Sequence, residues 1–171
     1  IADVSRIFVN TNMAAAAGAF VAMLATQLAY GKVDLTMVLN GALAGLVSIT
    51  AEPLTPTMGW TCLIGGVGGV IVVYGVPLLD KFKIDDVVGA IPVHLFAGIW
   101  GTLAVVLTNP DAALGTQLYG IVVVGVFTFA VSGIAWVILN ATLGIRVSEE
   151  DEITGLDTAE LGMEAYPDFV R

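Results

Sequence analysis

Long apolar runs separated by short polar connections dominate this chain. A helix needs about 20 mostly apolar residues to cross a bilayer, because the hydrocarbon core is about 30 Å thick. Five runs reach or approach that length; the second is the shortest and the last is the longest. The pattern predicts five membrane-spanning helices, at about residues 7–30, 35–50, 59–79, 87–107 and 117–143.

Small residues recur inside these runs, often four positions apart, as with Gly41 and Gly45 or Gly65 and Gly69. In lipid, where apolar burial gives no driving force, small residues let helix backbones approach closely. We therefore expect residues 1–143 to form an all-α, polytopic membrane bundle.

The connections between the runs differ in charge at the two ends of the predicted bundle. Four cations fall on one side: Lys32, Lys81, Lys83 and Arg146. The loops at 53–57 and 109–112, on the other side, contain no Lys or Arg, and Arg6 alone departs from the pattern. Because cytoplasmic loops are rich in Lys and Arg, we expect the C-terminus to be cytoplasmic and the start of the chain to be outside.

After residue 143 the composition becomes acidic and polar. Residues 144–171 carry eight acids against Arg146 and Arg171, which is −6 of the formal net charge of −9. Apolar residues are spaced through this segment, which is not typical of a purely disordered tail. We expect a cytoplasmic tail that docks on the bundle or on a partner.

The composition supports the membrane class. The 171 residues are 57% hydrophobic and 12% charged, about half the charged fraction of an ordinary soluble domain. Six cations in total argue against nucleic-acid binding, which needs a dense basic surface. Cys62 is the one cysteine, so no internal disulfide can form. The chain begins at Ile1 with no signal-peptide pattern, and we expect it to be the C-terminal part of something longer or a processed product.

His94 is the only histidine in the chain and lies near the middle of the fourth run. Ionisable side chains inside membranes are mostly functional, and a neutral imidazole can both donate and accept a hydrogen bond. Handling of a small polar solute or a proton is therefore the first hypothesis, and a structural hydrogen bond is the alternative. Metal binding is not expected, because no carboxylate or cysteine accompanies the ring.

Other polar or special residues near His94 each have a structural and a functional interpretation. Pro92 can kink the fourth helix and free a carbonyl, or serve packing alone. Asp85 and Asp86 lie near the cytoplasmic end of that helix, where capping is the favoured role over conduction. Asn12, with Asn10 and Thr11, forms a polar cluster that we expect to bond to other helices.

A second group of candidates lies nearer the outer end. Ser48 and Thr50 end the second run, where either could line an outer vestibule. Trp100 is too deep for an interface anchor, so we expect it near a pore or a seam between helices. Cys62 is expected to be a buried small residue, and Glu52 a solvated loop acid.

Several motifs resemble the ammonium transporter (Amt/Rh) family, and they occur in that family's order across essentially the whole chain. They are VNTNMAAAAG at 9–18, NGALAGLVSIT at 40–50, the acid pair at 85–86, VH at 93–94, AGIWGT at 97–102, and GIRVSEE at 144–150 with GLD and EAYP beyond it.

The resemblance implies an eleven-helix fold whose first ten helices form two inverted repeats, a common transporter design. This chain would correspond to helices seven to eleven plus the cytoplasmic tail. His94 matches the second of two pore histidines, Asp86 an acid near the inner end of the same helix, and Thr50 a position near the outer part of the pore. The first pore histidine, the phenylalanine gate and the outer recruitment residues of the family belong to helices that are not in this chain.

The resemblance also implies the assembly and the substrate. The family forms homotrimers in the cell membrane, its tail contacts a neighbouring subunit, and many members bind PII-type signal proteins. This chain departs from many relatives at Leu161, where they carry histidine, and in the 52–56 loop. The implied activity is transport of ammonium or ammonia, with methylammonium as an analogue, for nitrogen uptake.

Two other classes were weighed, and one remains as an alternative. A membrane-embedded ammonium sensor or assembly subunit would signal through the tail. A redox or quinone enzyme would need cofactor ligands that one histidine and one cysteine do not supply. We therefore expect a transporter rather than an enzyme, without a cofactor.

Overall fold

The computed structural model describes residues 1–167, so the end of the expected acidic tail, 168–171, lies outside the described residues. The described chain is all helical, and four of its helices are long and apolar enough to cross a membrane. The prediction of an all-α polytopic membrane protein is therefore confirmed. Residues 1–122 form one compact unit, and a second unit begins at Val123.

The helices follow one another with short connections. They are α1 (Ala2–Tyr30), α2 (Leu35–Ile49), α3 (Met58–Lys81), a π-helical turn (Ile91–Phe96) continued by α4 (Ala97–Thr108), α5 (Leu114–Leu143), α6 (Glu149–Thr154) and α7 (Leu156–Leu161). With 15 residues, α2 is shorter than a straight membrane crossing requires.

The fourth helix begins at Ile91, later than the expected start at residue 87. Gly89 has a φ of 76°, a left-handed conformation that a right-handed helix cannot contain. Val87 and Val88 are exposed parts of the turn that precedes the helix. Their apolar character made this turn look like helix in the sequence.

Side chains and a left-handed glycine set the other helix ends. The Asp34 carboxylate accepts a hydrogen bond from the Met37 N–H at 3.0 Å at the start of α2. The Thr57 hydroxyl accepts one from the Trp60 N–H at 3.5 Å at the start of α3. Gly31, with φ 73°, ends α1. Each polar group satisfies a backbone N–H that the helix itself leaves free.

Helices α1, α2 and α3 meet along a seam of small residues. A methyl group placed on Gly18 would collide with the Gly41 carbonyl oxygen, and one on Gly45 or Gly65 would collide with the Ala14 carbonyl oxygen. Backbone-to-backbone contact of this kind is the packing that small residues permit in membrane bundles.

Two clusters of buried apolar side chains flank this seam. One consists of Ala14, Ile49, Ile64 and Ala104, with Trp100 packed against it. The other consists of Ala44, Val72, Val93 and Ala97, with Met37, Val47 and Val76 packed against it. Both clusters include residues of the fourth helix, so the segment that carries His94 is anchored on the first three helices.

The connection between α2 and α3 is held in place by its neighbours. The buried Asn10 amide donates to the carbonyls of Pro53 and Pro56, at 2.8 and 3.1 Å. The Glu52 carboxylate accepts from the Asn109 amide at 3.3 Å and from backbone N–H groups of its own loop. The expectation of a solvated loop acid was therefore wrong for Glu52, because half-burial between two loops gives it neutral hydrogen-bond donors.

The second unit contains the short helices of the tail. The Ser148 hydroxyl accepts from the Asp151 N–H at 3.1 Å and so caps α6. The exposed side chains of Arg146 and Glu152 form an ion pair at 3.3 Å, which contributes little to stability at such exposure. The Asp157 carboxylate accepts from the Ala165 N–H at 2.8 Å and ties down the chain after α7.

Candidate functional site

A π-helical turn carries His94. The Ala97 N–H donates to the carbonyl of Pro92, five residues earlier, as well as to the carbonyl of His94. Wide turns of this type are rare and frequently occur at functional sites. Pro92 stands in the first turn of this segment, where its missing N–H removes no helical hydrogen bond.

Pro92 is buried and packs against α3. A methyl group added to Gly75 would lie 3.0 Å from the Pro92 Cβ and 3.2 Å from a ring carbon of Phe96. The small residue at this position lets the proline and the wide turn sit directly on the α3 backbone. The turn is therefore a packed feature of the bundle.

His94 is exposed, although Pro92 and Val93 beside it are buried. The described part of the chain places the imidazole on the outside of the first unit, next to the exposed Leu95. In this position the imidazole is free to contact a molecule or a helix that lies against this face of the bundle.

Asp86 caps the segment that contains the π turn. Its two carboxylate oxygens accept hydrogen bonds from the N–H groups of Ala90 and Ile91, each at 2.8 Å. A carboxylate at this end also interacts favourably with the positive end of the helix dipole. The neighbouring Asp85 is exposed.

Trp100 lies one and a half turns beyond His94 on α4 and is half-buried. Its indole N–H donates to the carbonyl of Ile64 on α3 at 3.0 Å. The ring also packs against the cluster that includes Ala14 and Ile49. Trp100 therefore fills a seam between helices and fixes α4 against α3.

The two outer-end candidates on α2 differ in exposure. Thr50 is exposed, and its hydroxyl donates to the Val47 carbonyl at 2.6 Å at the end of the helix. Ser48 is buried, and its hydroxyl donates to the Ala97 carbonyl at 3.5 Å. The expectation that Ser48 could line a vestibule was wrong, because its side chain is buried against the start of α4.

The polar cluster on α1 does not act as one group. Asn12 is exposed and donates to the Phe8 carbonyl of its own helix at 2.8 Å, and Thr11 does the same to Ile7. Asn10 bonds to the 53–56 connection. The expected bonds from this cluster to other helices are therefore replaced by bonds to α1 itself and to a loop.

One contact near His94 is not apparent from the sequence pattern. The Asn40 amide on α2 donates to the Val88 carbonyl at 2.8 Å, just before the π turn. Asn40 opens one of the motifs noted above, but its partner lies 48 residues away and no local pattern identifies it. Across residues 1–167 no group of three or more His, Cys, Asp or Glu side chains is placed to hold a metal ion.

The fold and the site define a polytopic α-helical membrane protein whose fourth helix begins with a π turn that exposes an imidazole. Residues 1–166 match the model of the Ammonium Transporter Family. The chain belongs to this family.

Curated relatives are similar along nearly the whole chain. The ammonium transporter Amt2 of Archaeoglobus fulgidus is 44% identical over 98% of this chain and 40% of its own length. The ammonium transporter Amt1 of Haloferax mediterranei is 34% identical over 99% of this chain and 34% of its own length. The chain thus spans about 40% or less of the length of these two relatives.

Solved structures agree with the fold. A sensor Amt protein matches with a TM-score of 0.85 and 28% identity, over 94% of this chain and 42% of that one. Mep2 of Candida albicans matches with a TM-score of 0.77 and 29% identity, over 94% of this chain and 40% of that one.

Proposed function

We propose that this protein moves ammonium or ammonia across the cell membrane, through a pore to which the chain contributes one wall. The observation that carries the proposal is the exposed imidazole of His94 on a π turn, in a chain that belongs to the ammonium transporter family. Relatives of this chain are named ammonium transporters.

The residues of this wall have two roles, contact with the solute and support of the residues that make it. His94 contacts the solute, with Trp100 and Thr50 as further pore residues toward the outer end. Asp86, Pro92 and Asn12 give structural or conduction support: the first two hold the segment that carries His94, and Asn12 lies on α1. The face that bears His94 is covered by the part of the transporter that corresponds to the remaining length of the relatives.

The free energy needed to place a charge inside the membrane favours passage of the neutral species. A bare cation is expensive to place at mid-membrane, whereas ammonia and a neutral imidazole are not. Ammonium loses its proton near the outer end, ammonia passes His94, and the proton is relayed along histidines or excluded. The imidazole offers ammonia both a donor and an acceptor, which replaces part of its hydration.

The assembly follows from family membership as a proposal. Three copies associate, each with its own pore, in a multi-pass arrangement with a cytoplasmic C-terminus. The acidic tail contacts a neighbouring subunit or a PII-type signal protein. The grouping of Lys32, Lys81 and Lys83 in connections away from the 52–57 loop supports this orientation.

Replacement of His94 by Ala in the full-length protein tests the proposed role. We expect His94→Ala to abolish methylammonium uptake, or to change the amount of charge moved per methylammonium, because the ring handles the solute and its proton. Uptake of labelled methylammonium and current are measured on the same membranes.

Leu95→Ala is the matched control, because Leu95 is the exposed neighbour on the same turn. We expect this variant to retain both uptake and current. If His94→Ala left uptake and current at the level of the wild type, the assigned role of His94 would be wrong.

A second candidate function is ammonium sensing, since one of the similar solved structures is a sensor Amt protein. A sensor would bind methylammonium and change the environment of the tail without net uptake. A fluorophore on the tail that responds to ammonium, together with absent uptake by the wild type, would favour this candidate over transport.

A further inference from the structure

We propose that Asn40 of α2 is a positioning residue for His94. This inference rests on the proposed function, because it concerns the pore histidine. Asn40 does not touch the solute; it acts by holding the backbone from which the π turn starts.

The first step is the contact itself. The half-buried Asn40 amide donates to the Val88 carbonyl at 2.8 Å. A methyl group added to the next residue, Gly89, would lie 3.0 Å from the Asn40 Nδ2. The amide therefore both bonds to and packs against the chain at its left-handed turn, where φ of Gly89 is 76°.

The second step links this turn to His94. The Gly89 carbonyl accepts from the Val93 N–H at 3.1 Å, and Val93 immediately precedes His94. One backbone hydrogen bond therefore connects residues 88–89, whose conformation Asn40 holds, to the π turn. Asp86 also caps this segment, but it does so from the same stretch of chain and not from another helix.

The third step is a second bond from the same helix. Ser48 lies eight positions after Asn40, which returns it to the same face of α2. Its hydroxyl donates to the Ala97 carbonyl at 3.5 Å. Helix α2 thus holds the fourth helix just before and just after residues 91–96, and the Asn40 bond is the shorter of the two.

The functional test is Asn40→Ala in the full-length protein, with labelled methylammonium uptake as the readout. We expect the maximal rate to fall at least about tenfold with KM changed by less than about twofold, since misplacement of a group by about 1 Å can cost about 100-fold. Asn40→Gln, which keeps a donor, should recover part of the rate, whereas Asn40→Asp, which lacks one, should not. Thr36→Ala, an exposed position on the same helix, is the control and should match the wild type.

The structural test is a high-resolution structure of the Asn40→Ala variant beside the wild type. We expect the His94 ring to move by about 1 Å while α2 stays in place. A ring that does not move, or an equal loss of rate in Asn40→Gln, overturns the proposal. If Asn40→Ala does not insert into the membrane, Asn40→Asp, which also lacks the donor, takes its place, with displacement of the ring again required.

The two proposals fail in different ways. A wild type that takes up no methylammonium contradicts the proposed function, and the position of the His94 ring in the variant then decides the role of Asn40 by itself. Normal uptake with an unmoved ring contradicts the positioning role alone.

Discussion

Thr61, in the first turn of α3, is fully buried, and its hydroxyl has no hydrogen-bond partner among the described residues. A buried polar group without a partner costs about 1–3 kcal/mol. Thr26 on α1 is equally buried, but its hydroxyl donates to the Ala22 carbonyl at 2.9 Å and accepts from the Asp34 N–H at 3.4 Å. The two threonines therefore contribute to stability with opposite signs.

Replacement of each threonine by valine tests this contrast. Thr61→Val removes an unsatisfied hydroxyl and should raise the midpoint of thermal unfolding in detergent, by about 2–4 °C for each kcal/mol recovered. Thr26→Val should lower it, because Asp34 loses an acceptor at the start of α2. A lower midpoint for Thr61→Val would indicate that its hydroxyl has a partner in the membrane.

At the level of single residues, the sequence identified what is locally unusual. His94 was found because it is the only histidine and lies in an apolar run. The partners of Asn40 and Ser48 are 48 and 49 residues away along the chain. Contacts of that range depend on how the helices pack, which no local pattern contains.

Among the helices, a glycine-to-alanine substitution should affect stability differently inside the seam between α1, α2 and α3 and outside it. At Gly45 a methyl group would collide with the Ala14 backbone, and overpacking of this kind costs about 1–3 kcal/mol. At Gly125 on α5 a methyl group meets nothing within 4 Å, and alanine favours a helix over glycine by about 1 kcal/mol.

We therefore expect Gly45→Ala to lower the unfolding midpoint and Gly125→Ala to leave it unchanged or raise it. Both variants are compared with the wild type in the same detergent by thermal unfolding. Equal midpoints for the two variants would contradict the close approach of α1 and α2.

The helices were predictable from apolar runs, but their ends were less so. The start of the fourth helix depends on the carboxylate of Asp86 and on the left-handed Gly89. Hydrophobicity does not distinguish the exposed valines of this turn from helical residues. The π turn could not be predicted either, because its hydrogen bonding reflects Pro92 packed against Gly75.

For the whole molecule, the all-α membrane class and the family were both predicted and confirmed. Composition indicated the class, and several motifs in a fixed order indicated the family. Orientation stays a prediction, because it rests on the distribution of a few lysines in loops.

Labelling of single cysteines tests the orientation. In a cysteine-free background of the full-length protein, Thr55→Cys should react with a membrane-impermeant maleimide added to intact cells. Lys83→Cys should react only after the membrane is permeabilised, because its loop is on the cytoplasmic side. Both positions are exposed. The reverse result would place the C-terminus outside.

The short α2 has a consequence for the surrounding lipids. Its 15 residues extend about 22 Å, less than the roughly 30 Å of a bilayer's hydrocarbon core. Leu35, Leu39 and Leu43 are exposed along one side of α2, and lipid that meets this side would have to thin locally to match its length. Such thinning costs a fraction of a kcal/mol per ångström of mismatch. Short-chain lipids would lower this local cost at α2, whereas α1, α3 and α5, with 29, 24 and 30 residues, match a thicker bilayer.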